Sequence, residues 1–142
     1  MVRLSVDKDS IHLVPKKIQT VRWYTSLVKI IRSKVSTIPH DIAVALITDE
    51  NMRTINKQSR GINRVTDVLS FLYDEKEGEI LIAPQQALRQ YKRFKSRSLT
   101  HEIQRLLVHG CLHLAGFDHK EVRERLAMES MTKKILSLLY KI

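Results

Sequence analysis

Three of the chain's six histidines, His109, His113 and His119, fall within the stretch HGCLHLAGFDH. His109 and His113 are four residues apart, so on a helix they project from nearly one face, one turn from each other. Two imidazole nitrogens at that spacing can reach a common ion at about 2.0–2.1 Å, the distance zinc requires. Gly116 then breaks the helix, because glycine adopts backbone angles that other residues resist, and the released chain can return His119 as a third ligand. Three protein ligands leave a fourth tetrahedral position for water, which separates a catalytic zinc site from a closed structural one. Cys111 lies between the histidines but on the wrong side of the helix to complete the set. The expectation is one catalytic zinc per chain, held by His109, His113 and His119.

The three histidines and the glycine also match the zinc-peptidase pattern His-Glu-x-x-His-x-x-Gly-x-x-His. The departure comes at the residue after the first histidine. Gly110 stands where those enzymes carry the glutamate that deprotonates water. A site lacking that base suits other work. Hydrolysis of a phosphodiester, for instance, builds negative charge on phosphoryl oxygens, and a metal beside a guanidinium stabilises it. The segment NKQSRGINRVTDVLSF supplies Arg60 and Arg64, which read by themselves are solvated loop arginines. No Glu, Asp or His outside the ligand set presents itself as a general base. Attack by water on the metal and attack by a hydroxyl of the substrate itself both remain open.

The elements that would position these groups alternate along the chain. Residues 2–6 read as a short strand; after Pro15, a favourable first helical residue, apolar spacing from Ile18 to Val35 reads as a helix stopped by Pro39. The run 42–48 is a buried strand. Asp49 is the expected N-cap of a helix through about Ser59. Strands follow at 65–72 and 79–83, separated by a turn at 75–78. Pro84 opens a polar helix to about Lys95. Ser98 or Thr100 caps the histidine helix, which runs to Leu114, and a last helix spans about Lys120 to Tyr140. Asp118 is either that helix's cap or an acceptor that orients an imidazole. Strands and helices mixed in this way predict an α+β domain, with helices packed on a small mixed β-sheet.

The whole chain, residues 1–142, reads as one domain without linker or repeat. Hydrophobic residues make up 43% and charged residues 28%, a globular composition. Lys and Arg total 25 against 15 Asp and Glu, a net charge of +10, which admits a polyanionic partner. Residues 89–97 (RQYKRFKSR) interleave Tyr91 and Phe94 with five basic side chains. They read either as a nucleic-acid surface or as a solvated face over two core aromatics, and the second reading is preferred. A lone cysteine suits a reducing compartment. With no secretory signal in the first residues and no run long enough to span a bilayer, the expectation is a cytoplasmic protein without a membrane partner.

HGCLHLAGFDH, SRGINRVTDVLSF and GEILIA together resemble the YbeY endoribonuclease family, in the family's order and over nearly the whole length. The resemblance implies a single-strand-specific, metal-dependent endoribonuclease acting in ribosomal RNA processing. That work includes maturation of the small-subunit rRNA 3′ end and ribosome quality control. It further implies zinc on His109, His113 and His119, and Arg60 as the catalytic, phosphate-binding arginine. Single-stranded ribosomal RNA is the implied partner, with ribosomal or assembly proteins beside it. Thr66, Asp67 and Ser70 would shape the adjoining strand and loop. Val65 and Leu72 depart from prolines common in the family, and the N-terminal part matches more loosely. These departures bear on loop stiffness and substrate preference. Two other readings stand beside this one: an RNA-binding ribosome-assembly factor with a mainly structural zinc, and a zinc hydrolase of another substrate.

Overall fold

The computed structural model describes residues 1–118 and 120–140. Among them, four strands form one sheet in the order β1-β2-β4-β3. β1 (Val2–Val6) pairs parallel with β2 (Asp41–Leu46), and β2 pairs parallel with β4 (Glu77–Ile82). β3 (Val68–Asp74) runs antiparallel to β4 along the opposite edge.

Alternation along the strands separates the two faces. Ile42, Val44 and Leu46 of β2, with Ile80 and Ile82 of β4, join the larger apolar core. The intervening Ala45 and Leu81, with Leu69 and Phe71 of β3, face a smaller cluster. Helices cover both faces. α1 (Val21–Lys34), α4 (Leu99–Leu114) and α5 (Val122–Leu139) build the larger core, and α2 (Asp49–Arg60) closes the smaller one with Met52 and Ile55. This is the α+β architecture expected of the sequence.

Local chemistry moves several boundaries. α1 begins at Val21, not Ile18. Before it, Lys16–Gln19 forms a 3-10 turn, Gln19 Nε2 donates to Val14 O at 2.6 Å, and Thr20 is extended. The cap of α2 is Thr48, whose hydroxyl accepts from Asn51 N; Asp49 sits inside the first turn, ion-paired with Arg89 at 2.8 Å. β3 starts at Val68 rather than residue 65; β4 starts at Glu77 rather than 79 because the hairpin turns tightly on Asp74, whose carboxylate accepts from Lys76 N. α3 (Pro84–Gln90) stops well before Lys95, where the chain takes a positive φ of 61°.

α4 is the central helix. Ser98 caps it, its hydroxyl accepting from His101 N at 3.3 Å. Beyond its first turn, every residue through Leu114 is buried except Arg105, His109 and His113. These three recur every fourth residue and so form one stripe. Gly116 ends the helix at φ 99°, with Gly116 N donating to His113 O and Phe117 N to Leu112 O.

Candidate metal and phosphate site

The stripe on α4 opens into a cleft of about 920 Å³. α4 contacts both β3 and α5, and residues of all three line the cleft, with Arg60 from the end of α2. His109 Nε2 and His113 Nε2 lie 3.0 Å apart, their rings tilted by 70°. Two nitrogens bound to one tetrahedral ion at about 2.0–2.1 Å would be about 3.3 Å apart. The pair therefore fits a small N-ligated cation with a slight spreading. His119, the third expected ligand, lies outside the described residues, and among the described residues no group of three His, Cys, Asp or Glu could hold a metal.

Gly110 explains why no glutamate follows His109. A Cβ at Gly110 would meet Ile80 Cγ2 at 2.8 Å and Ser70 Oγ at 3.1 Å, so that side of α4 is pressed against the sheet. Ser70 Oγ donates to Gly110 O at 3.1 Å, which keys edge strand β3 to the helix. Cys111 is buried in the core, away from the cleft as expected, and burial pushes its thiol up to about 12.

Arg60 and Arg64, equivalent by sequence, part company in the structure. Arg60 lines the cleft and Arg64 does not. Gly61 ends α2 at φ 73°, and Asn56 Nδ2 donates to Arg64 O, fixing the loop between them. Thr66, Asp67 and Ser70 also line the cleft. Asp118 accepts from Lys120 N and does not cap the last helix, which begins at Val122 behind Glu121.

Sequence reasoning missed the polar network under the cleft. Glu102, fully buried, receives Arg105 Nε at 2.8 Å and Nη2 at 2.7 Å, Ser96 Oγ at 2.7 Å and Gln90 Nε2 at 2.8 Å. Burial alone would raise this carboxyl, but the bonds from Arg105, Gln90 and Ser96 outweigh it and hold the group below its ordinary value. Gln90 Nε2 also donates to Asp67 Oδ2 at 2.8 Å, and Arg105 stacks over Phe94 at 4.0 Å. An acid three residues before an arginine on an otherwise apolar helix was the available signal. Phe94 itself corrects the preferred core reading: it is 42% exposed and lines the cleft.

A family model described as endoribonuclease YbeY matches residues 6–140. The chain belongs to the YbeY endoribonuclease family. A relative of that name from Thermodesulfovibrio yellowstonii is 40% identical over 104 residues, covering 68% of this chain and 65% of the relative. Another YbeY endoribonuclease, from Colwellia psychrerythraea, is 32% identical over 134 residues, 88% of this chain and 86% of the relative. A solution structure from Thermotoga maritima shares the fold at TM-score 0.62 and 24% identity, covering 96% of this chain and 87% of the other. With that membership, the sequence expectation of a nuclease hydrolase acting on RNA stands. No described helix is long and apolar enough to cross a membrane.

Proposed function

We propose that residues 1–142 act as one zinc-dependent endoribonuclease domain that cuts single-stranded RNA. The substrate is ribosomal RNA, including the 3′ end of the small-subunit RNA, and the setting is cytoplasmic ribosome maturation and quality control, beside ribosomal or assembly proteins. The observation that carries the site is the convergence of His109 Nε2 and His113 Nε2, 3.0 Å apart in a cleft shared with Arg60. With His119, these histidines would hold the ion. When bound, zinc supplies a Lewis acid for a phosphoryl oxygen and brings the pKa of water toward about 7.

The chain's own residues supply the rest. Arg60 neutralises charge that develops on the phosphoryl oxygens, through paired donors. Glu102 fixes Arg105 at the base of the stripe, two turns from His113. The close approach of Gly110 to Ile80 disfavours a peptidase, since the position of its base is filled by the sheet. The cleft of about 920 Å³ beside the pair leaves room for a water or substrate ligand, which disfavours a purely structural ion.

The test is metal content and RNA cleavage measured on one purified sample, beside His109→Ala and Arg60→Ala. Zinc loss with loss of cleavage is expected in the first. In the second, kcat/KM should fall about 100-fold with the metal retained, as for removal of one charge-stabilising donor. Unchanged cleavage in both variants would sink the assignment. An all-deoxy substrate that is still cut would exclude attack by the 2′-hydroxyl.

A further inference from the structure

Among the described residues, four cations line the cleft, Arg60, Arg105, Arg125 and Lys133, against two carboxylates, Asp67 and Glu129. They are not equivalent. Arg105 gives two donors to buried Glu102, which compensates its charge. Arg60 enters the cleft from the C-terminal end of α2. Arg125 and Lys133 belong to α5, on the other flank of α4. Both are exposed, and neither is among the ion pairs of the described residues.

The orientation of α5 is set by its apolar side. Met128, Ile135 and Leu139 are buried in the main core, which fixes the rotation of the helix. Arg125, Glu129, Thr132, Lys133 and Leu136 then share the wall of the cleft. On a helix, positions eight apart are separated by about 12 Å along the axis and lie near one face. Arg125 and Lys133 are thus two uncompensated cations spaced along a wall that faces the histidine pair. Glu129 stands between them without pairing to either, so their charge remains available. Side chains of this kind, spaced along a groove, match a chain of phosphates better than a single small anion.

We propose that the cleft face of α5 is a phosphate-binding wall, in which Arg125 and Lys133 hold two phosphates flanking the one cut at His109 and His113. This rests on the cleft being the RNA site. It adds a second wall to the substrate path, opposite Arg60, and assigns strand binding to a helix that carries none of the histidines.

The experiment measures the affinity of zinc-loaded protein for a short fluorescent single-stranded RNA across a salt series, together with cleavage at saturating RNA. The test variant is Arg125→Gln/Lys133→Gln. Arg123→Gln/Lys134→Gln is the control, removing the same charge from exposed α5 positions outside the cleft lining. Each lost phosphate contact on a single strand lowers the salt slope by about 0.7, so the test variant should lose about 1.4. Its affinity should fall about tenfold, as for two exposed ion pairs. Its melting temperature should stay unchanged, and the control should keep the wild-type slope. An unchanged slope in the test variant, or an equal loss in the control, overturns the wall even if the wild type cleaves RNA. Loss of the slope in the test variant alone supports the wall even if the wild type cleaves nothing, and then only the nuclease reading fails. A polyglutamate peptide that binds as tightly as RNA and is lost in the same variant would assign α5 to protein docking instead.

Discussion

At the scale of single residues, Gly110 decides what the histidine helix can do. A methyl group on its Cα would come within 2.8 Å of Ile80 Cγ2, closer than van der Waals contact allows. Gly110→Ala gains about 1 kcal/mol of helix propensity but overpacks a core contact at a cost of about 1–3 kcal/mol. The balance predicts a lower urea midpoint by a net loss of about 1 kcal/mol, and a midpoint at or above wild type would refute the packing account. The histidine spacing was legible in the sequence because helical periodicity alone places His109 over His113. The role of Gly110 was visible only as a missing glutamate. Its contact with Ile80 joins residues thirty apart in sequence, and no local pattern encodes that.

At the scale of elements, α4 is held by its buried polar end as much as by its apolar faces. Glu102 keeps its carboxyl ionised because Arg105, Gln90 and Ser96 all donate to it. Its folded pKa lies below the unfolded value of about 4.3, so over the interval between them the native state binds fewer protons than the unfolded one. Stability therefore rises with pH across that interval: the contribution is complete above it and disappears as pH falls through the folded value. Glu102→Gln should flatten the acid limb of a stability–pH curve measured by denaturant unfolding. A limb as steep as wild type would remove Glu102 from the account. Element types were readable from periodicity, whereas their ends were not. Thr48 rather than Asp49 caps α2 because Asp49 is drawn to Arg89 on α3, and that partner comes from elsewhere in the fold. The helix expected from Pro84 to Lys95 ends at Gln90 for a related reason: Gln90, Tyr91 and Ser96 are committed to the turn that leads into α4.

For the molecule as a whole, the site sits on an assembled core rather than holding it together. α4 is buried on all sides except its stripe, and Ile103, Leu106, Leu107 and Leu112 anchor it whatever occupies the cleft. Chelation should accordingly abolish RNA cleavage and leave the far-ultraviolet circular dichroism unchanged. Added zinc should restore cleavage and raise the melting temperature, since the ion binds the folded state preferentially. Cleavage that persists in metal-free protein would refute a metal-based site, and collapse of the spectrum would make the ion structural. The RNA partner was only hinted at by the net charge of +10. Where that charge acts depends on which face of α5 the core takes, a matter of packing between distant segments.

Cys111 sits between the two histidines yet faces the opposite way, into the core, with its thiol pushed up to about 12. Alkylating and oxidising reagents act on thiolates, so the folded chain offers them nothing next to its site. The same thiol becomes a clock on opening of the central helix: its rate of labelling measures how often the core comes apart.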